Sequence, residues 1–261
     1  MCKYLNCSTS GYYDWIKLGK PNHSKVNKFK QQKVLEIYNQ KKTRGRRQVL
    51  MQLERQFNLR MCLGSVHRYM SILNIASKRF RRKSKKQLEQ PKVAHSFKNI
   101  VDQNFTHNVC VTDITYLPSK DGTEYLSVIK NMKDKSIVAF NFSTKNDLDL
   151  VMKTIKKVSL PTNTILHSDQ GSQYTSMEYH KHLAEKGLTG SMSRKGNPYD
   201  NSPIESFFSI LKNEELKLFK SRTKAETRKL VEDFVFHYNN ERPQWNLKKL
   251  TPIEYGNQFF I

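Results

Sequence analysis

Three carboxylates occupy positions from which they could act together. Asp113 lies in a predicted strand at 109–117, Asp169 follows a short apolar strand at 164–167, and Glu205 stands at the start of a predicted helix. Carboxylates gathered in one place repel one another unless cations lie among them. Two Mg²⁺ or Mn²⁺ ions about 3.5–4 Å apart can activate an attacking oxygen and stabilise a leaving one in phosphodiester chemistry. Taken singly, each carboxylate is more typical of a strand edge or a helix cap, so the hypothesis depends on the three meeting.

The segment before Glu205 predicts a turn followed by a helix. The Asn-Pro pair at 197–198 cannot lie inside a helix, because proline lacks an amide hydrogen and disfavours the α conformation of its predecessor. Asn201 or Ser202 can cap the helix that follows, and Pro203 suits its first turn. Lys212 lies seven residues after Glu205 and therefore shares its helical face.

The charge of the chain indicates an anionic partner. Its 261 residues include 46 Lys and Arg against 23 Asp and Glu, which gives a formal net charge of +23. That imbalance points to a polyanion, with nucleic acid as the first candidate and an anionic membrane surface as the second. The sequence contains no apolar run of about 18 residues that would span a membrane, and its first 15 residues lack the apolar core of a signal peptide. We therefore expect a cytoplasmic protein.

The pattern of apolar residues predicts three regions. Residues 1–92 form a basic helical, helix-turn-helix-like DNA-binding region with a linker, residues 93–220 a catalytic core, and residues 221–261 a helical tail. In the first region, apolar stripes at helical spacing predict helices over 29–41 and 45–57 and a third from Ser65 onward. A generic helical bundle with a solvated basic face would show the same pattern.

Several basic residues are candidates for contact with DNA. The densest basic run, KRFRRKSKK at 78–86, is predicted to contact phosphates without sequence preference, although such runs are often only solvated. Lys212 and His167 lie beside the candidate carboxylates, and His167 could instead orient the site or fill a structural role. The predicted DNA-binding residues are Lys78, Arg79, Arg81, Arg82, Lys83, His167 and Lys212.

The core is predicted to be a mixed α/β sheet. Alternating β-forming residues and the Asp121-Gly122 turn predict three meandering strands, at 109–117, 125–129 and 136–142. Two further strands, at 164–167 and 188–191, are each preceded by a helix. This order of elements indicates a sheet that is flanked by helices.

The three carboxylates and their surroundings resemble the DDE pattern of retroviral-type integrases and bacterial insertion-sequence transposases. The motifs are VTDITYL around Asp113, LHSDQGSQYTS around Asp169, and MSRKGNPYDNSPIESFFSILKNE around Glu205, with 35 residues between the last two carboxylates. Lys212 matches the basic residue that this family carries seven positions after its glutamate. The opening CSTSGYYDW and the ending FHYNNERPQWNLKKLTPIEY resemble the OrfB product of two-frame insertion sequences.

The resemblance implies an RNase H-like core in which Asp113, Asp169 and Glu205 bind two divalent ions, Mg²⁺ or Mn²⁺. It implies strand cleavage by water at the element ends and attack of the resulting 3′-hydroxyl on a phosphodiester, with no covalent protein–DNA intermediate. The implied partners are double-stranded DNA, as terminal inverted repeats and target, further copies of the chain, and an upstream-frame OrfA product or fusion. The resemblance also favours a circular intermediate and a nucleoid-associated location.

Two positions depart from the family pattern, and two alternative functions stay open. Cys110 stands where relatives often have tryptophan, and Asn131 stands where an aspartate is usual. The alternatives are a degenerate transposase that only binds DNA and a structure-selective nuclease with the same core. The intact carboxylate triad argues against the first, while the basic N-terminal region and the family ending argue against the second.

Overall fold

The computed structural model describes residues 8–17, 19, 26–78, 99–100, 108–194, 201–218 and 222–258. The chain divides into two units, Met1–Ala76 and Ser77–Ile261, which we call the N-terminal and C-terminal units. The predicted region boundaries near 92 and 220 fall outside the described residues, so that division stays a prediction. Among the described residues, no helix is both long and apolar enough to cross a membrane.

Every regular element among the described residues of the N-terminal unit is a helix. Its core forms where the apolar faces of α2, α3 and α4 meet, with Val34, Leu53 and Val66 fully buried. By contrast, α1 buries none of its residues. The helices are α1 (Thr9–Lys17), α2 (Lys28–Gln40), α3 (Arg46–Phe57) and α4 (Leu63–Ile72).

The C-terminal unit is built on one five-stranded mixed sheet. The strand order is β3-β2-β1-β4-β5, with β1 antiparallel to β2 and parallel to β4. A strand at the centre of a sheet has neighbours on both sides, which accounts for the buried apolar residues at the start of β1. The strands are β1 (Val109–Ser119), β2 (Gly122–Asn131), β3 (Ile137–Ser143), β4 (Ile165–Ser168) and β5 (Thr189–Met192).

Helices cover both faces of this sheet. Alternate residues of β1 point to opposite faces, so Val109, Val111 and Leu117 pack with α7 and α8, while Cys110 and Ile114 pack with α5 and α6. The helices are α5 (Leu148–Lys156), α6 (Met177–Glu185), α7 (Ser202–Leu211), α8 (Lys224–Asn240) and α9 (Pro252–Asn257). The predicted RNase H-like mixed sheet flanked by helices is thereby confirmed, as is the basic all-α N-terminal region.

The helix that carries Glu205 differs from its prediction at its second half. The sequence predicts one continuous α-helix from Pro203 to about residue 218, but α7 ends at Leu211 and a π-helical turn, Lys212–Leu216, follows. A π-helical turn is wider than an α-helical one and changes which side chains point inward. Here it contains Glu214, whose side chain is buried against Arg242 of the chain after α8.

The Glu214–Arg242 ion pair fastens the π-helical turn to the C-terminal tail. Arg242 Nη2 donates to Glu214 Oε1 at 3.0 Å, and the two side chains are only 9% and 3% exposed. Removing one member of a buried ion pair leaves the other charge poorly compensated, which costs about 3–5 kcal/mol. Replacing both members by apolar groups avoids that cost.

We therefore expect Arg242→Met to lower the free energy of unfolding of the C-terminal unit by about 3 kcal/mol. The double variant Glu214→Leu/Arg242→Met should recover most of the loss, because no buried charge is left. Urea unfolding can be followed by Trp245 fluorescence in a Trp15→Phe background, since these are the two tryptophans of the chain. Equal destabilisation in the single and double variants would contradict this account of the pair.

Candidate active site

Asp113 lies on the face of β1 that α7 covers. It follows Val111 by two residues, and Val111 packs in the same apolar layer as the buried side chains of α7. Its carboxylate is partly buried, and Oδ1 accepts a hydrogen bond from the backbone N–H of Ile114 at 2.7 Å. The strand thus holds a partly buried carboxylate beside an apolar layer.

Asp169 is brought level with Asp113 by the pairing of β4 with β1. Val111 pairs with His167 in parallel register, and Asp169 directly follows the last residue of β4. Its Oδ1 accepts from the backbone N–H of Gly171 at 2.9 Å. A Cβ at Gly171 would lie 3.0 Å from that same oxygen, so a glycine is what allows the loop to close around the carboxylate.

Glu205 enters the site from the first turn of α7. Pro203 stands in that turn as predicted, and Asn201 is the N-cap, although it makes no side-chain capping hydrogen bond. Four apolar side chains of α7 are buried in the core, which fixes the helix while Glu205 stays exposed. The preceding loop, with the Asn-Pro pair at 197–198, lies outside the described residues.

The three carboxylates influence one another electrostatically. Burial, followed by the negative charges of Asp169 and Glu205, raises the pKa of Asp113 to about 7. The Ile114 N–H and the positive charge of Lys212 lower this pKa and so offset part of the shift. Burial also raises the pKa of Asp169, which the Gly171 N–H partly offsets. The pKa of Glu205 is raised by burial and by Asp169. Three separate elements therefore place three mutually repelling carboxylates in one site.

This donor set fits divalent cations. Oxygen ligands suit Mg²⁺ and Mn²⁺, and a cation would relieve the repulsion that raises the pKa of Asp113. Within the described ranges, no three Asp, Glu, His or Cys side chains are already arranged to hold one ion. Asp113, Asp169 and Glu205 are the residues that would hold such an ion, from β1, from the position after β4 and from the first turn of α7.

Lys212 lies beside the carboxylates, as its spacing from Glu205 predicts. Its Nζ stands 4.2 Å from the centre of the Tyr116 ring, and its positive charge lowers the pKa of Asp113. Lys78 is exposed, which leaves its side chain open to a phosphate. The other predicted phosphate contacts, Arg79, Arg81, Arg82 and Lys83, lie outside the described residues and stay predictions.

His167 is buried instead of facing the carboxylate site. Its side chain is 1% exposed, with Nδ1 2.9 Å from Ser191 Oγ and Nε2 3.1 Å from Ser193 Oγ. Both serines belong to or follow β5, so the imidazole ties β4 to its outer neighbour. This position favours the structural role that the sequence left open and argues against the predicted direct contact with DNA.

Lys130 is a residue that we did not predict to matter for the site. It is 5% exposed on β2, its Nζ donates to the carbonyl of Pro203 at 3.0 Å, and burial lowers its pKa to about 8. The bond joins the sheet to the first turn of α7, where Glu205 lies. The sequence around Lys130 indicates only the end of a strand. Pro203 lies far away in the chain, so apolar periodicity alone could not identify the contact between them.

The chain is similar to known proteins over most of its length. Two family models, both described as Integrase core domain, match residues 106–198 and 186–252. The transposase InsF for insertion sequence IS3A of Escherichia coli (strain K12) is 30% identical over 232 residues, which cover 82% of this chain and 77% of InsF. The transposase for IS904 of Lactococcus lactis is 36% identical over 166 residues, with 60% and 66% covered. An IS600 protein of Shigella sonnei is 27% identical over 272 residues, with 99% and 98% covered.

Solved structures also align with this chain. The catalytic core domain of BIV integrase gives a TM-score of 0.47 at 17% identity, covering 59% of this chain and 96% of that one. The HTLV-2 integrase catalytic core domain in complex with magnesium gives a TM-score of 0.46 at 13% identity, covering 62% and 99%.

The raised pKa of Asp113 predicts how pH affects the stability of the C-terminal unit. Without divalent ions, the folded state holds a proton on Asp113 up to about pH 7, whereas the ordinary value is 3.8. The folded state thus binds more protons between these values, so its stability falls as pH rises through that window. At pH 8 and in EDTA, Asp113→Asn should be more stable than the unsubstituted chain by at most about 4 kcal/mol, since one pKa unit is about 1.4 kcal/mol.

The measurement is urea unfolding from pH 4 to 8, again with Trp245 as the reporter in the Trp15→Phe background. Asp233→Asn, which removes an exposed carboxylate on α8, is the matched control and should follow the parent curve. Mg²⁺ or Mn²⁺ should stabilise the parent and Asp233→Asn but have a smaller effect on Asp113→Asn. If Asp113→Asn shows the same pH dependence as the parent, Asp113 does not carry the shifted pKa.

Proposed function

Because this chain belongs to the bacterial insertion-sequence transposases that carry an integrase core domain, we propose that it cleaves the ends of its own element and joins them to target DNA. The family consists of DDE-type polynucleotidyl transferases, so the chain is an enzyme of DNA transposition and integration. We assign the chemistry to Asp113, Asp169 and Glu205. The observation that carries this assignment is the register of β1 with β4, which sets Asp169 level with Asp113 on the sheet against which α7, the helix of Glu205, packs.

The same three carboxylates would hold the divalent cations, which we propose to be two Mg²⁺ or Mn²⁺ ions. When bound, these ions stabilise charge on the attacking and leaving oxygens of the phosphodiester. The chain contributes the rigid placement of the donors. The Gly171 amide fixes the Asp169 carboxylate, and the Lys130 ammonium fixes the first turn of α7, from which Glu205 projects.

We propose hydrolysis followed by strand transfer. In the first step, a water oxygen attacks phosphorus at the end of the element, the bond from phosphorus to the 3′ oxygen breaks, and that oxygen leaves as a 3′-hydroxyl. In the second step, this hydroxyl attacks a phosphorus of the target and displaces the target's own 3′ oxygen. No side chain forms a bond to DNA. We assign to Lys212, whose ammonium lies within electrostatic reach of Asp113, the neutralisation of charge on the phosphate.

The N-terminal unit supplies a second DNA contact in this proposal. Its α3 and α4 are joined by a short turn, as in helix-turn-helix units. On α4, Val66, Tyr69 and Met70 are buried, whereas His67 and Arg68 are exposed on the opposite side. A basic outer face on the second helix is the arrangement that reads a major groove, so we propose that α4 contacts the element ends.

We further propose that several copies of the chain act together on DNA, because the two ends of an element must be brought to one target. The double-stranded substrates are the terminal inverted repeats and the target. An upstream-frame OrfA product, as a partner or as part of a fusion, is expected from the resemblance to OrfB proteins.

Loss of either Asp169 or Glu205 should abolish both cleavage and joining. Asp169→Asn and Glu205→Gln keep the side-chain shape but remove a charge that holds the cations, so the rate should fall at least about a thousand-fold. The assay is cleavage and strand transfer of labelled element ends in Mg²⁺ or Mn²⁺, with the upstream partner supplied. Asp233→Asn is the matched control and should keep the parent rate.

The outcomes separate the proposed function from its alternatives. DNA binding should be retained in Asp169→Asn and Glu205→Gln, because neither change removes a positive charge. Cleavage and joining at the parent rate in both variants would show that the catalytic assignment is wrong. A parent chain that binds the ends but never cuts or joins them would instead support a protein that only binds DNA.

Neutralising the basic run should weaken the salt dependence of DNA binding. Replacing the Lys and Arg residues of 78–86 by Gln removes seven positive charges. Each lost phosphate contact reduces the slope of log K against log salt by about 0.9, so the slope should become shallower by up to about 6. The measurement is fluorescence anisotropy of a labelled duplex over a salt series. An unchanged slope would show that this segment does not contact the DNA phosphates.

A further inference from the structure

Tyr116 is an exposed aromatic side chain next to the candidate active site. It lies on β1 three residues after Asp113, beyond Val111, the last residue of β1 that pairs with β4. Its neighbours Thr115 and Leu117 are buried, but Tyr116 is 57% exposed. The ring contributes little to the core and lies on the part of β1 that β4 does not pair with. It is therefore available to a ligand.

The Tyr116 ring holds the ammonium of Lys212. Lys212 Nζ lies 4.2 Å from the ring centre, well within the range of a cation–π contact. The same ammonium acts on Asp113, whose pKa it lowers. One positive charge therefore lies over the aromatic ring and within electrostatic reach of the first of the three carboxylates.

This arrangement suits a DNA strand end. A lysine on its own is flexible and strongly hydrated, so an aromatic surface gives the ammonium a defined position beside the phosphate. Asp113 and Tyr116 are about 10 Å apart along the strand, and Lys212 contacts the Tyr116 ring while acting on Asp113. A phosphate that Lys212 holds near Asp113 therefore has its flanking nucleotide within reach of the ring. Aromatic rings stack on bases of any sequence, as they do in proteins that bind single strands.

We infer that Tyr116 is a further DNA-contacting residue of this site, which positions Lys212 on its ring and stacks against the terminal base of the cleaved strand. The inference deepens the proposed function and rests on it, because it requires a strand end at the three carboxylates. The ligand is a frayed or unpaired base next to the cleavage point, recognised by its flat face and not by its sequence.

The test compares intact element ends with ends that carry a single abasic site, moved one nucleotide at a time past the cleavage point. In the parent chain, one position should show binding weakened about 5- to 100-fold by loss of the base. Tyr116→Leu should lose that penalty at that position alone, while Tyr116→Phe, which keeps the ring, should retain it. Binding is measured by anisotropy of labelled duplexes without divalent ions, so that no turnover occurs.

A second comparison distinguishes stacking of Tyr116 on a base from a role in which Tyr116 only positions the Lys212 ammonium. Tyr116→Leu is combined with Lys212→Gln, and the effect of Tyr116→Leu on binding to intact ends should persist in that background. If the effect disappears there, or if the parent and Tyr116→Leu show the same abasic penalties, the stacking contact is overturned. Thermal unfolding of each variant, read by Trp245 fluorescence, verifies that the C-terminal unit is folded.

Failure of the proposed function would look different. A parent chain that neither cleaves nor joins its ends in Mg²⁺ or Mn²⁺ overturns the proposed function, whatever the binding results. A parent chain that cleaves and joins normally, with no base-dependent difference between Tyr116→Leu and Tyr116→Phe, overturns only the role of Tyr116.

Discussion

Repulsion among three carboxylates is the constraint to which the C-terminal unit is adapted. Asp113 lies on the central strand, where burial, followed by the charges of Asp169 and Glu205, raises its pKa to about 7. A chain free to move would separate such groups, because repulsion in a poorly solvated site is costly. Their proximity must therefore be maintained by the elements that carry them, and it leaves a place that a divalent cation would fill.

Contacts between distant parts of the chain maintain this arrangement. The parallel pairing of β1 with β4 sets Asp169 level with Asp113, and the bond from Lys130 to Pro203 fixes the first turn of α7 against the sheet. The His167 bonds to two serines join β4 to β5. Each link uses hydrogen bonds, which allow fewer alternative arrangements than apolar packing does. The site is thus rigid because its supports are specific.

The sequence predicted the parts of this site that depend on local pattern. Alternating apolar residues located β1 around Asp113, the end of a short apolar run located Asp169, and proline and capping residues located the start of α7. The contacts of His167 and Lys130 could not be predicted, since their partners are 24 and 73 residues away. The π-helical turn was missed for the same reason, because Glu214 is turned inward toward Arg242, 28 residues further along the chain. Periodicity describes which face of an element is buried, but it does not specify which polar groups meet there.

The change from α-helix to π-helix at Lys212 separates two tasks that one continuous helix would couple. Glu205 is placed by the packing of α7 on the sheet, whereas Lys212 is the first residue of a turn that the tail holds through Arg242. The ammonium then rests on Tyr116 of the central strand. The position of the carboxylate therefore depends on the core, and the position of the lysine depends on the tail and on one exposed ring. The tail is distant in sequence from the carboxylates, yet it thereby helps to position the Lys212 ammonium, which we propose to contact the DNA phosphate.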